Sequence, residues 1–425
     1  MPRNILILTE SMKPFSNDWG SCQRVYYYSK LFADFGYSVF IITRNNSELK
    51  SGEYSLDNFK VISFDAGISD KNRKLSLRSK IIEYCKKRKF IFNSLKFIFR
   101  LLYSEPNVFR GKESVSWAKF NLNNILNFIK THNIDLVIIS GPPFGLFRLT
   151  KKLKKAGIKI VLDYRDPWNL WYEKFSFSNK YEKKAIKRAN LIVTSTSSLC
   201  QRIIKKYGAE NVVPILNGYD QNIWSQYENY QKHKNDFFVI SYIGYILINQ
   251  SPEFRDPNIF LDACMDFLSN HEDVFVQFIG VGDKLDYIKY KHENLIFKNS
   301  VPVEEAIKIM IDSNLLVAIH TASDMSGDYI VCGKIYDYLK SGNRILSVGN
   351  YANCNKDLIE SNRAGTQVNN DKNDILKALE NEYKNWKNNV KCSPIITNYS
   401  EYDREHQNRL FLNEINKLLG EIKND

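Results

Sequence analysis

The chain has 425 residues, enough for two or three domains that each bury a core. Its 44% hydrophobic and 25% charged content is ordinary for globular proteins and excludes a disordered, collagen-like or disulfide-scaffold chain. Sixty Lys and Arg against 47 Asp and Glu give a formal charge of +13, which favours anionic partners such as nucleic acid, phosphate ligands or an anionic membrane face. Most of that excess sits between Lys71 and Arg100, where eleven basic residues meet one acid, Glu83. The longest apolar stretch, Phe90 to Phe99, is interrupted by Asn93, Ser94 and Lys96 and falls well short of the ~20 residues of a membrane span. The apolar run near the N-terminus is too short for a signal peptide, so the expected location is the cytoplasm. Seven scattered cysteines without a C-x-x-C pair read as free thiols, and the six histidines form no zinc-site spacing.

In chain order the pattern alternates strand and helix. Strands are expected at 5–8, 39–42, 61–64, 136–139, 160–162, 191–193 and 212–216, with helices near 25–35, 74–102, 115–131, 145–155, 180–189 and 198–207. Gly36 stands where a helix C-terminus favours glycine. The polar stretch 226–236 reads as a linker. A second series follows, with strands at 238–243, 274–279, 295–297, 315–319 and 344–348 and helices at 257–269, 303–313 and 334–341; a helix at 401–420 ends it. Continuous apolar strands separated by helices imply parallel sheets covered on both faces. In such sheets ligands sit beyond the carboxyl ends of the strands, so the residues just after each strand are the ones to weigh.

Val331-Cys-Gly-Lys-Ile-Tyr-Asp-Tyr-Leu-Lys-Ser-Gly342 places Gly333 and Lys334 at the start of a helix, where free N–H groups and the dipole favour a phosphate. Asp337, one turn on, shares a face with Lys334 and can accept ribose hydroxyls; the alternative is an ordinary amphipathic helix with a surface ion pair. Asp163, Arg165 and Asp166 follow a strand, where a carboxylate can orient or deprotonate a hydroxyl, or an Asp–Arg pair can fix the turn before Pro167. Trp168 and Trp171 can stack on sugar faces or fill the core. From Lys89 to Leu102, Lys89, Asn93, Lys96 and Arg100 form one polar stripe on an otherwise Phe- and Leu-rich helix, which reads as a membrane-surface element or as a domain helix with a solvated edge. Neither a D-x-D triplet nor a P-loop is present, and no nucleic-acid-binding module is recognisable.

These segments together resemble family-4 glycosyltransferases of the GT-B fold. Asp337-Tyr-Leu-Lys-Ser-Gly342 is similar to the donor-site motif, with Asp for the usual Glu. The family's first acid falls at Tyr329, and the nearest acid is Asp328. Ser140-Gly-Pro-Pro-Phe144 resembles the S-x-P-P turn. Asp163-Tyr-Arg-Asp-Pro-Trp168 resembles the D-x-R-D-x-W signature of a bacterial surface-polysaccharide branch. Ala189-Asn-Leu-Ile-Val-Thr-Ser195, Ile215-Leu-Asn-Gly-Tyr-Asp220, Tyr242-Ile-Gly244-Tyr245 with Arg255-Asp-Pro257, and Gly280-Val-Gly282 match further motifs in order. Gly20 stands where the family places a Gly-rich turn.

The resemblance implies an α/β GT-B fold: two doubly wound Rossmann-like domains facing across a cleft, with a C-terminal helix closing the chain. Residues 1–225 are expected to form the acceptor-side domain, with a basic amphipathic insertion at about 71–112. Residues 236–400 are expected to form the donor domain, and 401–425 a helix packing back on the first. It further implies a retaining, metal-independent transferase with no cofactor. That enzyme moves a sugar from a nucleotide diphosphate sugar to a glycan or lipid-linked acceptor in bacterial polysaccharide synthesis, peripheral on an anionic membrane surface. The donor side is assigned to Gly20, Gly244, Arg255, Gly282, Asp328, Gly333, Lys334 and Asp337, catalysis to Asp163, Arg165 and Asp166, and the acceptor to Trp168 and Trp171. A GT-B nucleotide-sugar 2-epimerase or an inactive partner subunit is the alternative.

Overall fold

The computed structural model describes residues 3–16, 19–64, 117–169, 177–233, 236–246, 256–281, 289–321, 325–351, 353–390 and 399–420. The basic insertion at 71–112, Trp171, Arg255 and Gly282 lie outside the described residues. The chain divides into two compact units.

The first unit holds an eight-stranded sheet in the order β3-β4-β2-β1-β5-β6-β7-β8. Its strands are β1 (Asn4–Leu8), β2 (Ser38–Arg44), β3 (Glu53–Leu56), β4 (Phe59–Phe64), β5 (Leu136–Gly141), β6 (Lys159–Tyr164), β7 (Leu191–Thr194) and β8 (Val212–Pro214). All pairings are parallel except the edge pair β3–β4. Ile5 to Leu8 and Leu136 to Ile139 are fully buried, as the central strands of a two-sided sheet require. The chain leaves β1 towards β2 through the helix Trp19–Asp34, and steps the other way from β5 to β8 through helices Thr150–Lys155, Phe177–Ile186 and Ser197–Tyr207. Right-handed crossovers put the first helix on one face and the other three on the opposite face. The strand order reverses between β1 and β5.

The second unit holds six parallel strands in the order β11-β10-β9-β12-β13-β14. They are β9 (Phe238–Ile246), β10 (Val274–Val281), β11 (Leu295–Lys298), β12 (Leu315–Ile319), β13 (Arg344–Val348) and β14 (Gly365–Val368). Phe238, Phe260, Phe267 and Leu379 are buried in one cluster, and Met310, Ile335, Tyr336 and Leu339 in another. Here the order reverses between β9 and β12.

Two edge strands were not expected from periodicity. Glu-Tyr-Ser-Leu of β3 and Gly-Thr-Gln-Val of β14 lack an apolar run, because an edge strand buries little and is defined by its neighbour's hydrogen bonds. The unit boundary also differs from the expected 225. The first unit comprises residues up to Thr194, Cys200–Pro214 and those from Phe411, and the second begins its main stretch at Ile215. Leu216 N–H donates to Gln407 Oε1, and Tyr219 and Arg404 exchange backbone hydrogen bonds with Tyr402 and Tyr219, so this strand-like segment is anchored by the second unit's own C-terminal residues. The stretch read as a linker likewise packs there, with Tyr230 donating to Asp312 and Lys232 to Ser313 O and Asn343 Oδ1. The helix Arg404–Leu419 starts in the second unit, and its later residues pack on the first. Phe411 meets Tyr28 and Phe32, and the Leu418 and Leu419 carbonyls accept from Lys159 and Arg3.

Gly365 opens β14 opposite Ile345, and a Cβ there would lie 1.8 Å from the Ile345 carbonyl oxygen. No side chain can be accommodated without moving backbone. Gly365→Ala is therefore expected to cost more than about 2 kcal/mol, read as a lower urea midpoint at unchanged slope. A midpoint equal to wild type would show that β14 shifts freely.

Candidate donor and acceptor sites

The second unit's site is built around its strand-order reversal. β9 and β12 pair only through Leu315↔Ile240 and Leu316↔Ser241, and beyond that point they diverge towards their carboxyl ends. The Tyr338 hydroxyl fills the split: Ile243 N–H donates to it at 3.1 Å, and it donates to the Val317 carbonyl at 3.3 Å. Burial holds the Tyr338 phenol well above its ordinary pKa, so it stays a neutral donor.

Tyr338 belongs to the helix Lys334–Ser341, which begins at Gly333 and ends at Gly342 in the left-handed conformation, φ 75°. Docking Tyr338 in the crevice aims the start of this helix at the end of β9. Lys334 Nζ lies 3.6 Å from the Tyr242 ring centroid, a cation–π contact. It also sits against Gly244, whose φ of +135° and whose missing Cβ (2.8 Å from Nζ if present) leave room for the ammonium. Gly280, at φ +92°, packs on Gly244 in the same way from β10. Lys334, Gly333 and Gly244 are thus brought together at the carboxyl edge of β9. Asp337 is partly buried; its Oδ1 accepts from Trp224 Nε1 at 2.9 Å. Burial is the largest influence and raises the Asp337 pKa, against the opposing effects of the Trp224 hydrogen bond and Arg404. The alternative of a Lys334–Asp337 surface ion pair is not realised: Lys334 lies over the Tyr242 ring and Asp337 accepts from Trp224.

Asp328 ends the short 3-10 turn Met325–Asp328. Its Oδ1 accepts from Asn353 Nδ2 at 2.7 Å and its carbonyl from Cys354 Sγ at 2.9 Å. Desolvation raises its pKa in spite of these bonds. At the next position Tyr329 is 8% exposed and its carbonyl accepts from Thr196 Oγ1, so a buried aromatic occupies the place of the family's first acid. Asn355 Oδ1 accepts from Cys332 N–H and secures the other end of this turn.

His320 was not singled out from the sequence. It follows β12 directly at the reversal, is 5% exposed, and its Nε2 has no hydrogen-bond partner among the described residues. Its Cδ2 lies 2.8 Å from where a Gly327 Cβ would be. The signal available was positional: a histidine immediately after a continuous apolar strand. A pocket lined by Lys232, Phe238, Arg344 and Trp386 lies at the opposite, amino-terminal end of this sheet and contributes nothing to the site.

In the first unit the motif residues converge under the start of the helix Trp19–Asp34. Asp163 is fully buried: Arg24 Nε meets Oδ1 at 3.0 Å and Ser140 Oγ donates to Oδ2 at 2.9 Å. Arg165 donates to the carbonyls of Ser21 and Pro142. Both peptide bonds into Pro142 and Pro143 are cis. The Asp–Arg pair expected within this loop forms instead between the loop and the helix. Asp163, with both oxygens engaged and no exposed surface, and Arg165, spent on two carbonyls, hold the loop in place; the expectation that they meet substrate is corrected accordingly. Asp166 remains partly exposed, and Gly20 is exposed in the first turn of the helix.

Trp168 is also corrected. It is 6% exposed, stacks on Phe144 (5.2 Å, 4°) and meets Phe147 edge-on, so no ring face is open to a sugar. Behind it, buried Glu182 accepts from Asn169 at 2.9 Å and from Tyr207 at 2.6 Å. Burial raises the Glu182 pKa, only partly opposed by Tyr207, Asn169 and Lys206.

The family described as Glycosyltransferase Family 4 matches residues 20–222. No curated protein sequence matches the chain significantly. Among solved structures, sucrose-phosphate synthase from Thermosynechococcus elongatus aligns with a TM-score of 0.63 at 10% identity, over 99% of this chain and 100% of that one. The Anabaena protein Alr3699/HepE in complex with UDP aligns with a TM-score of 0.61 at 14% identity, over 97% and 100%. A UDP-N-acetylglucosamine 2-epimerase, so described provisionally, from Listeria monocytogenes aligns with a TM-score of 0.59 at 10% identity, over 100% and 98%. Two Rossmann-like units of this topology define the GT-B fold. Residues 20–222 are thus similar to family 4 glycosyltransferases, and the chain as a whole has the GT-B fold.

Tyr338→Phe removes the hydroxyl and leaves the Ile243 N–H buried without an acceptor. A loss of about 1–3 kcal/mol in urea denaturation is expected, together with weaker nucleoside diphosphate binding. If both stay at wild-type values, the crevice is held open by something other than this hydroxyl.

Proposed function

We propose that the protein transfers a sugar from a nucleotide diphosphate sugar to an acceptor hydroxyl, with retention at the anomeric carbon and without a metal ion. The acceptor is a growing lipid-linked glycan of a bacterial polysaccharide. The observation that carries the donor assignment is the convergence of Lys334, Gly333 and Gly244 at the strand-order reversal of the second unit. A cation and the positive end of the helix dipole there would stabilise charge developing on the departing diphosphate, an effect that acts preferentially on the transition state. The second oxygen of Asp337 would take a ribose hydroxyl while Trp224 holds the first. In the first unit, Asp166 is the carboxylate of the motif with solvent access and the candidate to orient the acceptor hydroxyl. That HepE was solved in complex with UDP supports a nucleotide partner.

Metal independence is supported by the absence of a D-x-D triplet and by the cationic group already at the reversal. Among the described residues, no helix is long and apolar enough to cross a membrane. The Phe-rich basic stripe that motivates peripheral attachment lies outside the described residues. A nucleotide-sugar 2-epimerase is the second reading, and buried His320 at the reversal is the observation that favours it. Incubation with a panel of nucleotide sugars separates the two, since an epimerase changes the donor without an acceptor.

Asp337→Ala is expected to weaken nucleoside diphosphate binding by about 1.5–3 kcal/mol, one hydrogen bond to a charged acceptor. Asp337→Asn, which keeps an acceptor for Trp224, preserves stability better while still weakening the nucleotide. Calorimetry at a temperature well below unfolding reads both, and unchanged affinity in both variants would misplace the donor site.

Turnover is expected to survive EDTA. Complete loss in EDTA that magnesium or manganese restores would overturn the leaving-group assignment.

A further inference from the structure

Charge is distributed unevenly over the first unit. Across residues 144–162 and 177–190 the single acidic side chain is Glu182, and it is buried. On the helix Thr150–Lys155, Leu153 and Thr150 face the core while Lys151, Lys152, Lys154 and Lys155 are exposed. On the next crossover helix, Phe177–Ile186 and the turn after it, Lys180, Lys183, Lys184 and Lys187 are exposed. The two helices lie on the same face of the sheet by the handedness of their crossovers. Between them, the exposed Arg148 guanidinium, on the 3-10 helix Phe144–Leu149 that leads into the first, sits 5.1 Å over the Tyr181 ring of the second, itself 40% exposed. None of the eight lysines has an ion-pair partner among the described residues.

Folding does not require this arrangement and is opposed by it. Cations complement the C-terminal end of a helix dipole, which accounts for Lys154, Lys155, Lys183 and Lys184. Lys151 and Lys180 stand near helix starts, where the dipole disfavours them, whereas Lys152 counts with the last turn of its short helix. Lys151 and Lys155, Lys180 and Lys184, and Lys183 and Lys187 are like charges at i, i+4, each pair destabilising its helix. A face that concentrates uncompensated positive charge at a cost to its own helices is fitted to a partner that supplies the missing negative charge.

We propose that the face formed by helices Thr150–Lys155 and Phe177–Ile186 docks on a bilayer surface rich in anionic lipid. Lysine ammonium groups reach headgroup phosphates while their stems and Tyr181 lie at the interface, where aromatic rings with a polar end are favoured. The occupant rests on the reading that the acceptor is lipid-linked; the charge face itself does not. Its residues are other than those of the basic stretch at 71–112, and it is carried by a different observation.

The test is co-sedimentation with vesicles of equal parts phosphatidylglycerol and phosphatidylcholine, at low and high salt, with phosphatidylcholine vesicles as control. Two variants are compared with wild type: Lys151→Ser, Lys152→Ser, Lys154→Ser and Lys155→Ser together, and Lys180→Ser, Lys183→Ser, Lys184→Ser and Lys187→Ser together. Each is expected to bind anionic vesicles at least about tenfold more weakly, since each lysine near such a surface contributes several-fold. Their thermal midpoints should equal or exceed wild type, because like-charge repulsion has been relieved; a merely structural role would lower them. Wild-type binding should fall with salt. Variants that bind as wild type does, or wild type that stays in the supernatant at low salt, overturn the proposal. So does displacement of wild type from vesicles by single-stranded RNA at equal phosphate concentration, which would assign the face to nucleic acid. Calorimetry with nucleoside diphosphates on the same samples reads the donor site independently, so its failure and that of the docking face are told apart.

Discussion

One hydroxyl, that of Tyr338, sets the geometry of the second unit. Two parallel strands that part before their ends leave backbone groups without partners in the interior, and each such group costs free energy. Tyr338 answers the Ile243 N–H and the Val317 carbonyl at once. Because the same residue lies in the middle of the helix Lys334–Ser341, satisfying the split sheet also fixes where that helix begins. Lys334 then meets the Tyr242 ring and Gly244, and Asp337 meets Trp224, with no further freedom. The crevice and its charge are therefore products of one hydrogen-bonding requirement rather than of separate placements.

The first unit is organised differently. Its motif residues are mostly turned inward: Asp163 is neutralised by Arg24 and Ser140, Arg165 is committed to the carbonyls of Ser21 and Pro142, and Trp168 is stacked among Phe144 and Phe147. A buried carboxylate with a guanidinium partner and a hydroxyl donor is stable only if both oxygens are occupied, as they are here. The result is a rigid junction between the loop after β6, the proline turn after β5 and the first turn of the helix Trp19–Asp34. Of the motif's two carboxylates, only Asp166 keeps partial exposure. A motif can thus be strongly patterned because it builds the platform rather than because it touches the substrate.

The alternation of apolar strands and amphipathic helices was legible in the sequence because burial on both sheet faces demands continuous apolar runs, as in Ile5 to Leu8 and Leu315 to Ile319. The glycine and lysine of Cys332-Gly-Lys334 were legible for a similar reason, since a glycine before a helix start is a local signal. Edge strands β3 and β14 were not, because an edge is specified by its neighbour. His320 was passed over because nothing in its immediate sequence distinguishes it; only the strand order places it at the reversal.

By itself the sequence determined two α/β halves, a helix that starts at Gly333 and Lys334, and the excess of positive charge. Each follows from local composition and periodicity, which the chain expresses residue by residue. Tertiary structure alone decided that Asp163 pairs with Arg24, 139 positions away, that Trp168 is core, and that Asp337 faces Trp224 across 113 positions. It also decided that lysines from successive crossover helices share one face. These are pairings between distant segments, set by strand order and crossover handedness, and no local pattern encodes which distant partner a side chain will meet.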